Sequence, residues 1–201
     1  MVNLIGALNK KNKKIVLAKD ADKQNEYICI GCKEDLTFKK GDINIPHFAH
    51  KPHSKCLYFC NNSSEESQIH KTAKELLKKI LINKESLIIS KKCSSCSCEC
   101  DEEIINSLEK TIELEYNFTH NGSRIADVAY LVNNEIKYIF EICHTHKTEE
   151  QNRPEPWFEF DAMELINLYN LNFFNDENEF YLNCIRKNIC SNCTNFNDLS
   201  Y

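Results

Sequence analysis

The sequence has no long hydrophobic run, because no stretch approaches the roughly 20 consecutive apolar residues that a membrane-spanning helix needs. It also lacks a signal peptide: the short apolar opening at residues 1–8 is followed by a lysine-rich stretch, where such a peptide needs its hydrophobic segment. We therefore expect an intracellular protein that does not enter a membrane. Its expected location is the cytoplasm, or the nucleus or a viral factory if the chain is viral.

Basic residues are fewer than acidic ones, and few of them are arginine. The chain has 25 Lys and Arg residues against 30 Asp and Glu residues, a net charge of −5, and its arginines are Arg124, Arg153 and Arg186. This balance argues against a polybasic protein that coats nucleic acid through phosphate contacts. It leaves open an enzyme that acts on nucleic acid through metal ions, because such a site requires carboxylates.

Internal repeats and long low-complexity linkers are absent as well, and 201 residues with 42% hydrophobic content can bury one sizeable core. We divide the chain into three regions. They are a β-rich zinc-binding segment at 1–62, an α/β core at 63–186 with a Cys-rich insertion at 91–109, and a C-terminal CxxC knuckle at 187–201 that packs on the insertion.

The core region has the element order of a small α/β sandwich. Apolar residues recur every three or four positions between Ile69 and Leu81, which predicts a helix with Ser63 and Glu66 as the capping box at its start. The segments after it are predicted as strands at 86–90, 111–118, 124–132, 136–143 and 157–161, a helix at 162–170 and a strand at 180–186.

The 12 cysteines are metal-ligand candidates, because disulfides are rare in a reducing compartment. We predict Cys29, Cys32, His50 and Cys56 as the ligands of a first zinc ion, with His47 as the main substitute. His53 and Cys60 lie close by in the sequence and are the remaining alternatives. For each histidine the alternative is a packed or surface imidazole without a ligand role.

A second zinc ion is predicted between two CxxC motifs, because each short spacing lets two thiolates reach one tetrahedral ion. The predicted ligands are Cys93, Cys96, Cys190 and Cys193. Cys98 or Cys100 is an alternative for one of the four, Cys184 is left over, and the competing interpretation is exposed thiols in loops. Four protein ligands at each site favour a structural role for both zinc ions.

Asp127 and Glu141 stand in otherwise apolar strands, where a carboxylate is costly to bury unless it is paired or binds a cation. Side by side, they would form a site for a hard cation such as Mg²⁺ or Mn²⁺. They share a face of the sheet only if the hairpin has a three-residue loop or a bulge. A two-residue turn at Asn133 and Asn134 alone would set Phe140 opposite Asp127 and turn Glu141 to the other face.

Further candidates lie on the first predicted helix, where Glu66, His70 and Lys74 recur every four residues. Glu66 is a candidate metal ligand, and His70 and Lys74 are candidates for phosphate contacts. The alternative is that Glu66 acts as the capping glutamate and the other two are simply solvated. Arg124 is expected to hold a phosphate or to pair with a carboxylate such as Glu115.

The ordered set of motifs resembles the competence protein CoiA-like family from the N-terminus to about residue 160. The residues that carry the resemblance are Tyr27, Cys29, Cys32, Gly41, His47, Phe48, Ala49, His50, Cys56, Glu66, Ser67, His70, Lys74, Arg124, Asp127, Val128, Glu141 and Ile142. The family is assigned to the PD-(D/E)XK nuclease superfamily. That resemblance implies a mixed-sheet core with the order α-β-β-β-α-β, preceded by a zinc-binding segment.

The resemblance implies that Asp127 and Glu141 bind Mg²⁺ or Mn²⁺, with Glu66 near the same ion and the Ile142 carbonyl as a further ligand. Cys143 stands where the superfamily usually has Lys and the family usually has Gln, and cysteine offers neither a positive charge nor an amide. The side chains that are available to compensate are Lys74, His144, His146 and Lys147.

Two functions follow from this interpretation. The first is a metal-dependent nuclease that hydrolyses DNA phosphodiester bonds in DNA processing or recombination, with DNA as its partner. The sequence leaves open whether it dimerises to cut both strands. The second is an inactive, zinc-stabilised module on a nuclease fold, which binds DNA or a protein. The two CxxC motifs argue against a redox enzyme, because further zinc-type ligands accompany both.

Overall fold

The computed structural model describes residues 6–41, 45–52, 54, 56, 65–149, 152–172, 177–187 and 193, and the side chains of residues 65–67 are not among what it describes. The chain divides into two compact units, residues 1–72 and 73–201. None of the described helices is both long and apolar enough to cross a membrane.

The N-terminal unit is built on one antiparallel sheet with the strand order β2-β1-β3-β4-β5. Its core is aromatic: the rings of Tyr27, Phe38 and Phe48 have centroids 4.8 to 6.0 Å apart, and Phe48 is fully buried. The elements are β1 (Gly6–Asn9), β2 (Ile15–Leu17), a 3-10 turn (Ala18–Asp20), β3 (Tyr27–Ile28), β4 (Asp35–Lys39) and β5 (His47–His50). The predicted β-rich character of this segment is therefore observed.

Helix α1 runs from Glu65 to Asn83, as its apolar periodicity predicts, and the division between the two units falls within it. In the part that belongs to the C-terminal unit, one face is completely buried. That face consists of Ala73, Leu76, Leu77, Ile80 and Leu81. The spacing of three and four residues puts these side chains on one stripe of the helix, so burial of that stripe stabilises it.

The C-terminal unit contains two sheets and a second helix. Its elements are β6 (Ser86–Lys92), β7 (Glu99–Ile105), β8 (Lys110–Thr119), β9 (Ser123–Val132), β10 (Glu135–Cys143), β11 (Trp157–Asp161), α2 (Ala162–Asn172) and β12 (Glu179–Asn183). The sheets have the orders β11-β10-β9-β8 and β12-β6-β7, and each combines parallel and antiparallel neighbours. The mixed α/β class is thus confirmed.

The arrangement differs from the implied core in its last strand. β12 follows α2 but pairs with β6 in the three-stranded sheet, while the parallel neighbour of β10 is β11, which precedes α2. A backbone hydrogen bond of 2.8 Å from Ile185 to the Glu159 carbonyl joins the end of β12 to β11. The implied core places this last strand in the same sheet as the others. In the structure, β12 instead belongs to the three-stranded sheet.

The connection from β10 to β11 is long, as a parallel pair requires. All three arginines of the chain hold it. Arg124 donates to Asn152 Oδ1 at 2.8 Å, Arg153 donates to the Ile125 carbonyl at 2.9 Å, and Arg186 donates to the Trp157 carbonyl at 2.9 Å. All three arginines therefore help to fix the connection that brings the chain back alongside β10.

Candidate functional site

The hairpin between β9 and β10 has a two-residue turn. Asn133 and Asn134 have φ angles of 53° and 63°, the left-handed conformation of a type I′ turn, and Val132 pairs with Glu135. The predicted alternative of a three-residue loop is therefore wrong. With this turn alone, the register would set Glu141 on the wrong face.

A β-bulge in β10 corrects that register. The pairing shifts by one residue between Ile136 and Tyr138, and beyond the shift Phe140 pairs with Val128. One residue further along, the same register sets Glu141 opposite Asp127, with both side chains on one face. The bulge that the sequence analysis required as the alternative to a longer loop is therefore present.

The two carboxylates interact closely. Glu141 is 3% exposed, and Asp127 Oδ2 accepts a hydrogen bond of 2.9 Å from the Ile142 amide. The pKa of Glu141 is raised to about 7, mainly by burial, with the charge of Asp127 adding to the shift and the hydrogen bond from Arg153 opposing it. The two carboxylates thus lie close together in a largely buried site, where their negative charges repel each other.

Lys74 supplies a cation to this pair from helix α1. Its ammonium group lies 3.4 Å from Asp127 Oδ1 and also forms an ion pair with Glu115, and its side chain is only 6% exposed. Glu115 lies in β8 at the register position opposite Asp127, with a φ of 53°. Lys74 is therefore brought to the carboxylates as the helical stripe suggested.

Arg153 is a site residue that the sequence analysis missed. Its Nε donates to Glu141 Oε1 at 2.5 Å, and its guanidinium lies 5.6 Å from the centre of the Phe118 ring. The residue follows β10 in a loop, so no strand or helix periodicity marks it. Its rarity was the available signal, because an arginine between two carboxylate-bearing strands is a natural counter-ion.

Glu159 is the second residue that was missed. It is 2% exposed and pairs with Glu141 in the parallel register of β10 and β11, and its Oε1 accepts a hydrogen bond of 2.5 Å from the Thr148 amide. The signal was a lone carboxylate in an aromatic strand, the same pattern that marked Glu141. Glu115, Asp127, Glu141 and Glu159 therefore form a row across all four strands.

Several other predicted residues have different surroundings. Arg124 donates to Asn152 and to the backbone, and because Glu115 pairs with Lys74, the predicted Arg124–Glu115 pair is not formed. Cys143 is buried beside Asp161, and burial together with nearby carboxylates raises the pKa of its thiol.

The two remaining candidates of the helical stripe belong to the N-terminal part of α1. His70 is half-buried there. The Glu66 side chain lies outside what the structure describes, so its predicted ligand role stays a prediction.

The first metal-binding cluster has the predicted composition. The ligand atoms of Cys29, Cys32, His50 and Cys56 all lie within 4.8 Å of one another, and Cys29 Sγ is 3.7 Å from Cys56 Sγ. The ring of the substitute, His47, instead lies 2.9 Å from the Ile45 carbonyl. His53 and Cys60 lie outside the described residues.

Burial raises the pKa of the Cys29 thiol in this cluster to about 12. A thiol of that pKa is protonated at neutral pH without a metal, so binding of an ion there would release a proton. The cluster can hold a metal ion such as zinc.

The second cluster is assembled from two distant parts of the chain. The sulfur atoms of Cys93, Cys96 and Cys193 lie within 4.8 Å of one another, with 3.9 Å between Cys93 and Cys193. Amide–carbonyl bonds from Cys93 to Cys98 and from Ser97 to Cys93 shape the turn that presents the first two. Cys190, the predicted fourth ligand, lies outside the described residues.

The alternatives to these ligands have other contacts. The Cys98 backbone carbonyl accepts the bond from Cys93, and the Cys100 thiol lies 3.7 Å from the Lys91 carbonyl. Cys184 is half-buried, and burial raises the pKa of its thiol. The three described thiols can hold a metal ion, as the CxxC spacing predicted.

Comparison with known proteins finds a family match for the N-terminal segment. No curated protein and no solved structure was found to match the chain. A family model described as the N-terminal domain of competence protein CoiA matches residues 8–59, the stretch that contains Cys29, Cys32, His50 and Cys56. The resemblance deduced from the motifs is therefore confirmed for this segment, which is similar to the N-terminal domain of competence protein CoiA.

Proposed function

We propose that the C-terminal unit is a nuclease-like module that hydrolyses DNA phosphodiester bonds with Mg²⁺ or Mn²⁺, in DNA processing or recombination. The observation that supports this most directly is the bulge in β10, because it aligns Glu141 with Asp127 where a regular hairpin would separate them. Bulges next to functional sites commonly re-aim a side chain in this way.

The donor set fits a hard divalent cation. Asp127 and Glu141 offer carboxylate oxygens, the ligand type that Mg²⁺ and Mn²⁺ prefer. The pKa of Glu141 is raised mainly by burial and further by the charge of Asp127, so ionisation of Glu141 is costly even beside Arg153. A bound divalent ion would neutralise charge on the scissile phosphate and lower the pKa of a coordinated water.

The chain's own residues have distinct roles in this proposal. Asp127 and Glu141 hold the ion. Lys74, 3.4 Å from Asp127, offers its ammonium group to a phosphate oxygen that approaches the same carboxylate. Arg153 fixes the Glu141 carboxylate by a bond of 2.5 Å. The positive charge that Cys143 does not provide thus comes from elsewhere in the fold.

A second candidate function is an inactive module that binds DNA or a protein. One observation favours it specifically: each carboxylate already has a cationic partner, Lys74 for Asp127 and Arg153 for Glu141. A charge-balanced network of this kind needs no metal ion to be stable. The two functions differ in whether a divalent ion binds the two carboxylates beside these partners.

The test is cleavage of supercoiled, linear and single-stranded DNA with Mg²⁺ or Mn²⁺, together with Mn²⁺ titration calorimetry. Asp127→Asn and Glu141→Gln keep the side-chain shapes, and Glu113→Gln, which alters an exposed carboxylate of β8, is the matched control. We expect cleavage and Mn²⁺ binding in the wild type and the control, and neither in the two site variants. A folded wild type that binds no Mn²⁺ and cuts no DNA would leave only the inactive module.

We also propose that both cysteine clusters hold structural zinc ions, since thiolate and imidazole ligands in closed sets suit zinc. Metal analysis of the purified chain should give two zinc ions per protein. Cys29→Ser and Cys93→Ser should each remove one ion, and Cys98→Ser, outside the second cluster, should remove none. Two zinc ions retained in Cys93→Ser would refute the second site.

DNA is the partner that the proposed activity requires. A homodimer would let two sites act on both strands of a duplex. Analytical ultracentrifugation with and without a DNA duplex tests that arrangement, because a monomer in both samples would exclude it.

A further inference from the structure

The segment that follows β10 forms a short bridge across the end of the carboxylate row. It leaves β10 at Cys143, two residues after Glu141, and is tied to β11 at Thr148, whose amide donates to Glu159 Oε1 at 2.5 Å. Glu159 is itself the register neighbour of Glu141. Residues 144–147, which we call the bridge loop, therefore lie between two attachment points on adjacent strands.

Glu159 is an unusual residue to find at the second attachment point. It is 2% exposed and lies beside another buried carboxylate, so its burial is costly unless hydrogen bonds compensate. The bond from Thr148 is a charge-assisted one, which is stronger than a bond between neutral groups. Its structural effect is to fix the end of the bridge loop relative to the sheet.

The bridge loop carries one lysine and two histidines in a chain of net charge −5. It reads His144, Thr145, His146 and Lys147, without a carboxylate, and the side chains of its last three residues are exposed. The nearest acidic residue that follows is Glu149, whose carboxylate accepts a hydrogen bond of 2.8 Å from Asn152. Ammonium and imidazole groups on an exposed loop are suited to phosphate oxygens.

Lys147 directly precedes Thr148, so the hydrogen bond from Thr148 to Glu159 also limits where this lysine can lie.

From these contacts we infer that the bridge loop is a DNA phosphate-binding surface, with Lys147 as the contacting cation and Glu159 as the positioning residue that anchors the loop. This inference rests on the proposed DNA-directed function and extends it, because it names the surface that holds the backbone of the substrate. It does not require that the carboxylate pair be catalytically active.

The test is the salt dependence of binding to a fluorescent DNA duplex, measured without added Mg²⁺ or Mn²⁺. Loss of one phosphate contact in Lys147→Ala should weaken binding and reduce the slope of log K against log salt by about 0.9. Lys147→Arg should restore the slope. Lys110→Ala is the matched control, because Lys110 pairs with Val132 at the opposite end of the sheet.

Glu159 is tested by the same measurement. Glu159→Ala should reduce the slope as Lys147→Ala does, whereas Glu159→Gln retains an oxygen that can accept the Thr148 bond and should behave as the wild type. If Glu159→Ala does not fold, the slopes of Glu159→Gln, Lys147→Ala and Lys147→Arg still test whether the bridge loop binds DNA phosphates. Normal slopes in Lys147→Ala would overturn the inference.

The outcomes also separate this inference from the proposed function. A wild type that binds DNA with an unchanged slope in Lys147→Ala removes the bridge loop as the surface but leaves the nuclease proposal intact. A wild type that binds no DNA overturns both. An RNA duplex of the same sequence serves as a second probe, and preference for it would contradict DNA as the substrate.

Discussion

Glu141 gives a sharp prediction, because its ionisation is unfavourable in the folded protein. Its pKa is about 7 in the fold, against a reference value of 4.5. The folded state therefore binds more protons than the unfolded state between these values, and stability falls as pH rises through this window. From the two pKa values, the loss between pH 6 and pH 8.5 is about 1.4 kcal/mol in the free energy of unfolding.

Glu141→Gln removes the titrating group and keeps the side-chain shape. We expect the free energy of unfolding of the wild type to fall by about 1.4 kcal/mol relative to this variant between pH 6 and pH 8.5. Urea unfolding, followed by circular dichroism without added Mg²⁺ or Mn²⁺, measures both proteins. Because the difference between them is taken, the contributions of titrating groups that do not interact with Glu141 cancel.

Glu135→Gln is the control for this measurement. Glu135 lies on the same strand, but its side chain is 75% exposed to solvent. The curves of this variant and the wild type should run parallel over the whole pH range. Parallel curves for Glu141→Gln as well would refute the conclusion that Glu141 is electrostatically strained.

Two further changes probe the same site. Deletion of Lys137 removes the extra residue of the bulge, so Tyr138 follows Ile136 directly and a regular register keeps Glu141 opposite Asp127. We expect Mn²⁺ binding in calorimetry to be retained, and loss of binding would show that the bulge does more than set the register. Arg153→Met leaves Glu141 buried without its partner and should lower the free energy of unfolding by about 3–5 kcal/mol at pH 8, with Arg153→Lys less affected. A loss below 1 kcal/mol in urea unfolding would mean that the pair is dispensable.

Much of the fold followed from local pattern. The apolar stripe of α1 and the alternating or apolar runs of β8 to β11 were predicted within a few residues, because burial of one face imposes a period on the sequence. The metal-binding clusters could be predicted from the sequence equally well. Thiols two residues apart can reach one ion whatever the rest of the chain does, so the spacing of Cys29 and Cys32 or of Cys93 and Cys96 carries its own geometry.

The sheet assignment of β12 could not be obtained in this way. Its sequence indicates a strand, but the choice of β6 as its partner depends on which edge is open when α2 packs, and that is not a local property. The same holds for the three arginines. Each appears isolated in the sequence, and their common role at the connection between β10 and β11 exists only in three dimensions.

The candidate site shows the division most clearly. The sequence by itself determined that Asp127 and Glu141 were carboxylates in buried strands, because charge within an apolar run is visible without a structure. Tertiary structure decided that a one-residue bulge aligns them, that Lys74 and Arg153 neutralise them, and that Glu159 joins the row. The physical reason is that side-chain period is local, whereas register and counter-ions depend on contacts between segments far apart in the chain.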